Sequence, residues 1–279
     1  MNRFILPVIV LLCAGTAAVC DDELSPAPAS GSFAETLQAA GMGDPAAQTR
    51  LGAVFLKGED APQDYSQALK WFRKAAEQGD AEAQCRLAEM YYNGWGVEKN
   101  DAEMIAWLGK AAAQEHTESE YMLGFMHYIG RGVEQDDAEA ARYFYKAAVK
   151  GYADAEHMVG VLYYSGRGEE QNYAEAARWF RKAADRGFAA GQHMLGMLYL
   201  RGDGVGRDNA EALRWFRKAA EQNFASAEYT LGTMYRDGRG VERDAGEAAA
   251  WFRKAVAHGA DYAVSELARL EEAENKTIP

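Results

Sequence analysis

Residues 193–223 read HMLGMLYLRGDGVGRDNAEALRWFRKAAEQN. Leu195, Gly196 and Tyr199 open the stretch, the Gly202-Asp203-Gly204 turn divides it, and Trp215, Phe216, Lys218, Ala219 and Ala220 close it. Aligned with itself, the chain returns to this pattern every 36 residues without insertion: Trp71, Trp107, Tyr143, Trp179, Trp215 and Trp251 form one column. Leu51, Leu87, Leu123, Val159, Leu195, Leu231 and Leu267 form another, and Lys74, Lys110, Lys146, Lys182, Lys218 and Lys254 a third. A fixed period of this length marks a solenoid, whose units bury their apolar faces only against neighbours.

Within one unit, Ala83, Leu87, Ala88 and Tyr91 fall at i, i+4, i+5 and i+8, one side of a helix advancing about 100° per residue. This is helix A. A Gly-x-Gly turn follows at Gly94, Gly130, Gly166, Gly202 and Gly238, and the first unit departs from it with Gly58-Glu59-Asp60. The pairs Asp64/Gln67, Asn100/Glu103, Asp136/Glu139, Asn172/Glu175, Asp208/Glu211 and Asp244/Glu247 have capping-box spacing and start helix B. Helix B ends at Gly79, Gly151, Gly187 and Gly259 in four of the units. Half-units close the array: Ala39, Ala40 and Gly43 match Ala75, Ala76 and Gly79, and Leu267 opens a last A-type helix made polar by Glu271, Glu272 and Glu274.

The two ends and the composition narrow the setting. Arg3, an apolar run from Phe4 to Leu12 and small residues to Cys20 read as a signal peptide over residues 1–20, cut after Ala18 or after Cys20. Cys20 also resembles a lipoprotein box in part, with Val19 where such boxes place a small residue, so membrane attachment enters only if Cys20 is lipidated. The reading favours a soluble periplasmic or secreted protein over an anchored one. Residues 21–32 form a Pro/Ala/Ser linker, 33–274 the repeat domain of six full units with terminal halves, and 275–279 a tail. Cys85 is then the remaining thiol, with no disulfide framework around it. A net charge of −12 disfavours nucleic acid.

Units of the form Ala-x-Ala-x3-Leu-Gly-x2-Tyr-x2-Gly-x-Gly-Val, then Ala-x2-Trp-Phe-x-Lys-Ala-Ala-x2-Gly, resemble Sel1-like repeats, relatives of the tetratricopeptide repeat, over roughly residues 33–274. The resemblance implies an all-α, α/α superhelical solenoid of antiparallel helix pairs that acts as adaptor or scaffold. Exported bacterial members serve as envelope regulators, host-interaction factors and immunity proteins against delivered toxins. A cysteine-rich branch binds β-lactams, and its cysteines are missing here.

Positions that vary between copies are the candidates for a partner. Opposite the stacking residues of helix A run three rows: Cys85, Tyr121, His157, His193 and Tyr229; Glu89, Phe125, Val161, Met197 and Thr233; Tyr92, Tyr128, Tyr164, Leu200 and Arg236. By analogy with tetratricopeptide arrays these line a concave groove, and their aromatic, Met and Arg content suits a protein interface. An acidic rim of Glu82, Glu118, Glu120, Asp154, Glu156 and Glu228 would favour a basic partner surface. The lysine column has a structural reading instead, as cations near the end of helix B that cover the Trp-Phe pair.

No zinc, thiol-redox, nucleophile-elbow or phosphate-loop motif occurs. His157 and His193 share a register and with Glu156 make a weak metal set, so no metal, cofactor or catalytic residue is assigned. The expectation is a non-catalytic protein-binding protein of the cell envelope. A lipid-anchored adaptor is the alternative, and a cell-wall enzyme acting through the two histidines is the less favoured one.

Overall fold

The structure is a computed structural model that describes residues 32–277, with side chains through residue 272. The leader of residues 1–20 and all of the linker except Ser32 lie outside the described residues, as do the last two residues of the tail. Among the described residues there are only helices, and none is long and apolar enough to cross a membrane.

The chain divides into two compact units, residues 1–150 and 151–279. The first holds α1 (Phe33–Gly41), α2 (Pro45–Lys57), α3 (Tyr65–Glu77), α4 (Ala81–Asn93), α5 (Asp101–Ala112), α6 (Thr117–Ile129) and α7 (Asp137–Val149). The second holds α8 (Ala153–Ser165), α9 (Tyr173–Asp185), α10 (Ala189–Arg201), α11 (Asn209–Ala220), α12 (Ala225–Asp237), α13 (Ala245–Ala257), a 3-10 turn Asp261–Ala263 and α14 (Val264–Thr277). Even-numbered helices are A helices and odd-numbered ones B helices. Within each unit an A helix packs on the B helix of its own repeat and on the B helix before it. The helix α14 continues through Thr277, past the residue 274 where the sequence places the end of the repeats.

The A/B contact is a ring seated on a glycine. Phe72, Phe144, Phe180, Phe216 and Phe252 are fully buried, and a Cβ added at Gly52, Gly124, Gly160, Gly196 or Gly232 would come within 2.6–2.8 Å of the facing ring. Each such phenylalanine, removed from water, contributes about 2–3 kcal/mol. The remaining repeat makes the opposite compromise, with Ala88 on the A helix and the smaller Leu108 on the B helix.

Gly58 takes the same left-handed cap as its counterparts, so the first turn departs only at Asp60. There the other repeats need glycine, because Gly96 lies against the Tyr65 carbonyl and Gly204 against that of Tyr173, at the start of the preceding B helix.

Half of the predicted capping box forms. Asp64, Asn100, Asp136, Asn172, Asp208 and Asp244 each accept from first-turn amides. Their own N–H groups, however, donate to carbonyls of the preceding A helix, as Asp208 does to Tyr199 at 2.9 Å. The later glutamates are therefore released: Glu103 and Glu211 accept from the indole N–H of Trp107 and Trp215, and Glu139 and Glu175 pair with Arg142 and Arg178. A reciprocal box forms at Ser32/Glu35, at the start of α1. The lysine column lies over the aromatic column, with Lys110 and Lys182 both 3.5 Å from the centroids of Trp107 and Trp179.

On the last helix Glu271 accepts from Arg253 at 3.0 Å in an exposed pair, the place where Tyr91 and Tyr235 accept from Arg73 and Arg217.

Candidate functional site

The candidate rows lie on α4, α6, α8, α10 and α12, and the structure separates them by depth. The first row is internal. Cys85 is buried beside Met122, with the sulfurs 4.0 Å apart, and Tyr121 packs on Phe144. His157 sits between Phe180 and Phe188, with ring centroids 5.3 and 5.4 Å away, and His193 between Phe216 and Phe224 at 5.5 and 5.6 Å. Tyr229 lies over Phe252 and meets Tyr262 edge-on, keeping part of its surface.

Glu89, Tyr121, Tyr128, His157, Val161 and His193 are thus buried, which corrects their placement in a groove. The angular arithmetic gave their direction correctly, but consecutive A helices touch on that side, as the Cys85–Met122 and His193–Thr230 contacts show. What stays partly open is a narrower strip. In the first unit it comprises Tyr92 and Phe125, and in the second Tyr164, Met197, Leu200, Tyr229 and Arg236. Its side chains are held: the Arg131 guanidinium covers the Tyr92 ring at 4.1 Å, Tyr164 accepts from Arg201 at 2.8 Å, and Arg236 donates to Glu266 at 2.6 Å.

Half of the acidic rim is internal as well. Glu120, Glu156 and Glu228 are buried, and each meets a base 30 residues on: Lys150 at 2.8 Å, Arg186 at 3.0 Å and His258 at 2.8 Å. The same positions in the other repeats carry amide pairs, Gln48–Gln78, Gln84–Gln114 and Gln192–Gln222, at 2.7–2.9 Å. This ladder joins the start of each A helix to the end of its B helix.

A charged cluster in the first unit escaped the sequence reading. Arg86, almost wholly buried on α4, lies 2.7 Å from Glu82, 3.4 Å from Glu89 and 3.7 Å from Glu118. The His116 Nε2 atom is 3.1 Å from Glu82, and its Nδ1 is 3.0 Å from the Ser119 hydroxyl. Burial opposes the charge on His116, but hydrogen bonds to Cys85 and Glu82 and the negative charge around it raise its pKa to about 10. Burial likewise works to raise Glu82, yet hydrogen bonds and charge from His116 and Arg86 bring it down to about 2. Glu82, His116 and Glu118 have ligand atoms within 4.8 Å of one another, the reach of a metal site. The surroundings do not fit one: His116 Nε2 is already held by Glu82, and the Arg86 guanidinium lies between the two carboxylates. The signal available in sequence was Arg86 itself, in a column that reads Met122, Met158 and Met194 in the next three copies.

The histidines of the second unit have the opposite environment. Both ring nitrogens of His157, and Nδ1 of His193, are buried without a hydrogen-bond partner. Burial pushes His157 down to about 3, helped by the nearby His193, and His193 down to about 4, helped by Arg201. They are neutral rings in an aromatic stack, closed to a substrate, and Glu156 is turned to Arg186 instead of completing a metal set with them.

The model of the Sel1 repeat matches six times, at residues 45–80, 81–116, 117–152, 153–188, 189–224 and 225–259. Each match is one A/B pair. No curated protein matches the chain. Among solved structures, a protective antigen of uropathogenic Escherichia coli strains with an SLR fold is 33% identical, with a TM-score of 0.79 over 88% of this chain and 52% of that one. The present chain therefore spans about half the length of that relative. A Sel1 repeat protein from Oxalobacter formigenes is 31% identical, with a TM-score of 0.72 over 76% of this chain and 84% of its own. An immunity protein from Pseudomonas aeruginosa shares the fold alone, at 19% identity and a TM-score of 0.53 over 78% and 82% of the two chains. Six tandem matches, each coinciding with one helix pair, make the chain a member of the Sel1 repeat family.

Proposed function

We propose that this protein is a binding scaffold that takes a protein partner along the half-open strip of its A helices. Family membership supports protein–protein interaction in general. The observation that carries the finer reading is the held strip: Tyr92, Phe125, Tyr164, Met197 and Leu200 remain accessible, and their rows change along the array, one from Glu89 through Phe125, Val161 and Met197 to Thr233 and the other from tyrosine at 92, 128 and 164 to Leu200 and Arg236, while the columns behind them repeat. Aromatic and arginine side chains already fixed in one rotamer lose little entropy on binding. With Glu120, Glu156 and Glu228 buried against Lys150, Arg186 and His258, the reading rests on apolar and aromatic contact rather than on a basic partner surface. The leader pattern of residues 1–20 supports an encounter outside the cytoplasm, where a regulator, an adaptor or a neutraliser of a delivered toxin would act.

The test is capture from envelope extract and from the products of neighbouring genes. Wild type is compared with Tyr92→Ala/Phe125→Ala in the first unit and Tyr164→Ala/Met197→Ala in the second. Binding lost in a variant whose helix content is unchanged supports the strip as the site. A partner retained by both variants sinks this reading. N-terminal sequencing of the mature protein reports export, the cleavage point and any lipid on Cys20 in one measurement.

A further inference from the structure

The A helices α2, α4, α6, α8, α10 and α12 end on residues of one column: Lys57, Asn93, Ile129, Ser165, Arg201 and Asp237. Its polar members are satisfied close by, with one exception. Lys57 pairs with Glu59, the Asn93 amide donates to the Glu89 carbonyl, and the Ser165 hydroxyl donates to that of Val161. Asp237 meets Arg236 and Arg239 at 2.7 and 3.2 Å. Arg201 is the exception: it is exposed and donates to the Tyr164 phenol at 2.8 Å. Among the described residues no carboxylate pairs with it, Asp203 in the following turn included.

The position of that charge decides what can cover it. Arg201 follows Leu200 on α10 and its guanidinium donates to Tyr164 of α8, so it is joined to two residues of the accessible strip, with Met197 one turn back. A partner that covers Leu200 and Tyr164 also takes Arg201 out of water. A guanidinium cannot shed its proton to escape burial. Removed from water against a phenol alone, it is an uncompensated charge. The other two arginines beside the strip already have carboxylates: Arg131, over Tyr92, pairs with Asp101, and Arg236 pairs with Glu266. In the first unit the same column offers Asn93 and Ile129 beside the strip, and there it asks for no charge.

On the reading that the strip is the binding face, we propose that its second-unit part recognises a protein segment carrying one carboxylate beside apolar side chains. The carboxylate pairs with Arg201, whose planar fork suits two parallel hydrogen bonds. The apolar groups lie on Tyr164, Met197 and Leu200, and the Tyr164 hydroxyl holds the guanidinium in place ahead of binding. A run of acids is disfavoured, because the chain carries a net charge of −12 and repels it at longer range. The segment is therefore mostly apolar with a single acid, the opposite of the basic surface that the acidic rim suggests.

Random peptides displayed on phage test this, selected on the protein purified from cells expressing the full sequence. The same selection is run on Arg201→Gln, Arg201→Glu and Tyr164→Ala/Met197→Ala, each checked for unchanged helix content. Peptides that bind wild type but not Tyr164→Ala/Met197→Ala are strip binders. They should share an Asp or Glu next to apolar residues, and changing that acid to its amide should weaken binding to wild type about tenfold or more. Against Arg201→Gln the same change should cost about twofold or less, and Arg201→Glu should select Lys or Arg at that place. Strip binders without a shared acid overturn the proposal and leave the strip standing as a site. So does an acid whose loss costs the same with and without Arg201. If no peptide distinguishes wild type from Tyr164→Ala/Met197→Ala, the strip itself falls as a binding face, and the proposal with it.

Discussion

The A helices of the two units carry one hydrophobic period and two opposite electrostatic interiors. In the first unit the buried side of α4 and the start of α6 hold an ion cluster, Arg86 among Glu82, Glu89 and Glu118, with His116 charged beside it. In the second unit the places of Arg86, Glu89 and His116 are taken by Met158, Val161 and Phe188, and the buried rings of His157 and His193 beside them are neutral, with three of their four nitrogens lacking a hydrogen-bond partner. A repeat backbone therefore dictates where a side chain is buried and leaves open how its polarity is satisfied. Satisfied charges and unsatisfied neutral rings respond to acid and base in opposite ways.

The largest expected effect separates the units by pH. For His157 and His193 the folded pKa values, about 3 and about 4, lie below the unfolded value of 6.5, so the unfolded chain binds more protons as pH falls below 6.5. Their stability contribution is complete above pH 6.5 and is lost on acidification toward the folded values, at about 2.7 kcal/mol per pH unit for two protons. Urea midpoints measured from pH 7 to pH 4.5 should fall steeply in wild type and much less in His157→Leu/His193→Leu. Equal slopes would mean that the two rings reach water or a partner in the folded state. His116 has the reverse sign: its folded pKa is raised to about 10, so its contribution is full below pH 6.5 and is lost as pH rises through about 10. Its imidazole resonances should show no midpoint near 6.5, and a midpoint there would dissolve the contrast between the units.

Second in size is the cost of removing the cation from the first unit. Arg86→Met installs the residue of the next three copies but leaves Glu89 and its neighbours buried around an apolar group, at a cost of about 3–5 kcal/mol. Adding Glu89→Val, which copies Val161, should recover most of that loss in denaturant unfolding. A single variant as stable as wild type would show that the cluster is solvated rather than held by Arg86.

These contrasts also mark how far the residues could be read without coordinates. The fold was legible because six uninterrupted copies put Trp, Leu and Lys in columns, and a period of 36 with helical spacing admits only a helical array. The candidate site was legible in part. Helical arithmetic identified the arc that includes Phe125, Tyr164 and Met197 but not the rings of Phe144, Phe180 and Phe216 on the B helices, which with Phe188 and Phe224 pack over Tyr121, His157 and His193. The glutamates of the capping spacing were misread because the carbonyl that captures Asp208 N–H belongs to another helix. The ladder was present in the sequence all along, as Gln with Gln and Glu with Lys, Arg or His at a separation of 30, but it appears only when two columns are compared together.

That ladder supplies the third comparison, between charged and neutral solutions of one contact. Arg186→Gln strands the buried Glu156 carboxylate and should cost about 2 kcal/mol, the worth of a charge-assisted hydrogen bond. Glu156→Gln added to it recreates Gln192–Gln222 and should restore the urea midpoint. If the double variant is no more stable than Arg186→Gln alone, the amide pairs depend on their own surroundings and the ladder positions are not interchangeable.

The smallest effect sits where helix B ends without glycine. Gly79, Gly151, Gly187 and Gly259 adopt φ of 87–95° there, while Glu115 in the first unit and Asn223 in the second hold φ of 60° and 61°. Both B helices that precede them, α5 and α11, are one residue shorter than their counterparts. A glutamate in the left-handed region is strained by about 1–2 kcal/mol, whereas asparagine, whose short amide tolerates that region, is strained less. Glu115→Gly should therefore raise stability by about 1 kcal/mol net of the added chain entropy, and Asn223→Gly by only a few tenths. The Lys150 ammonium donates to the Glu115 carbonyl at 2.7 Å, a main-chain contact that glycine keeps, so the gain isolates backbone strain. Were Asn223→Gly to gain as much as Glu115→Gly, residue type would not be what separates the two turns, and the shortened helix common to both would be the source of the strain.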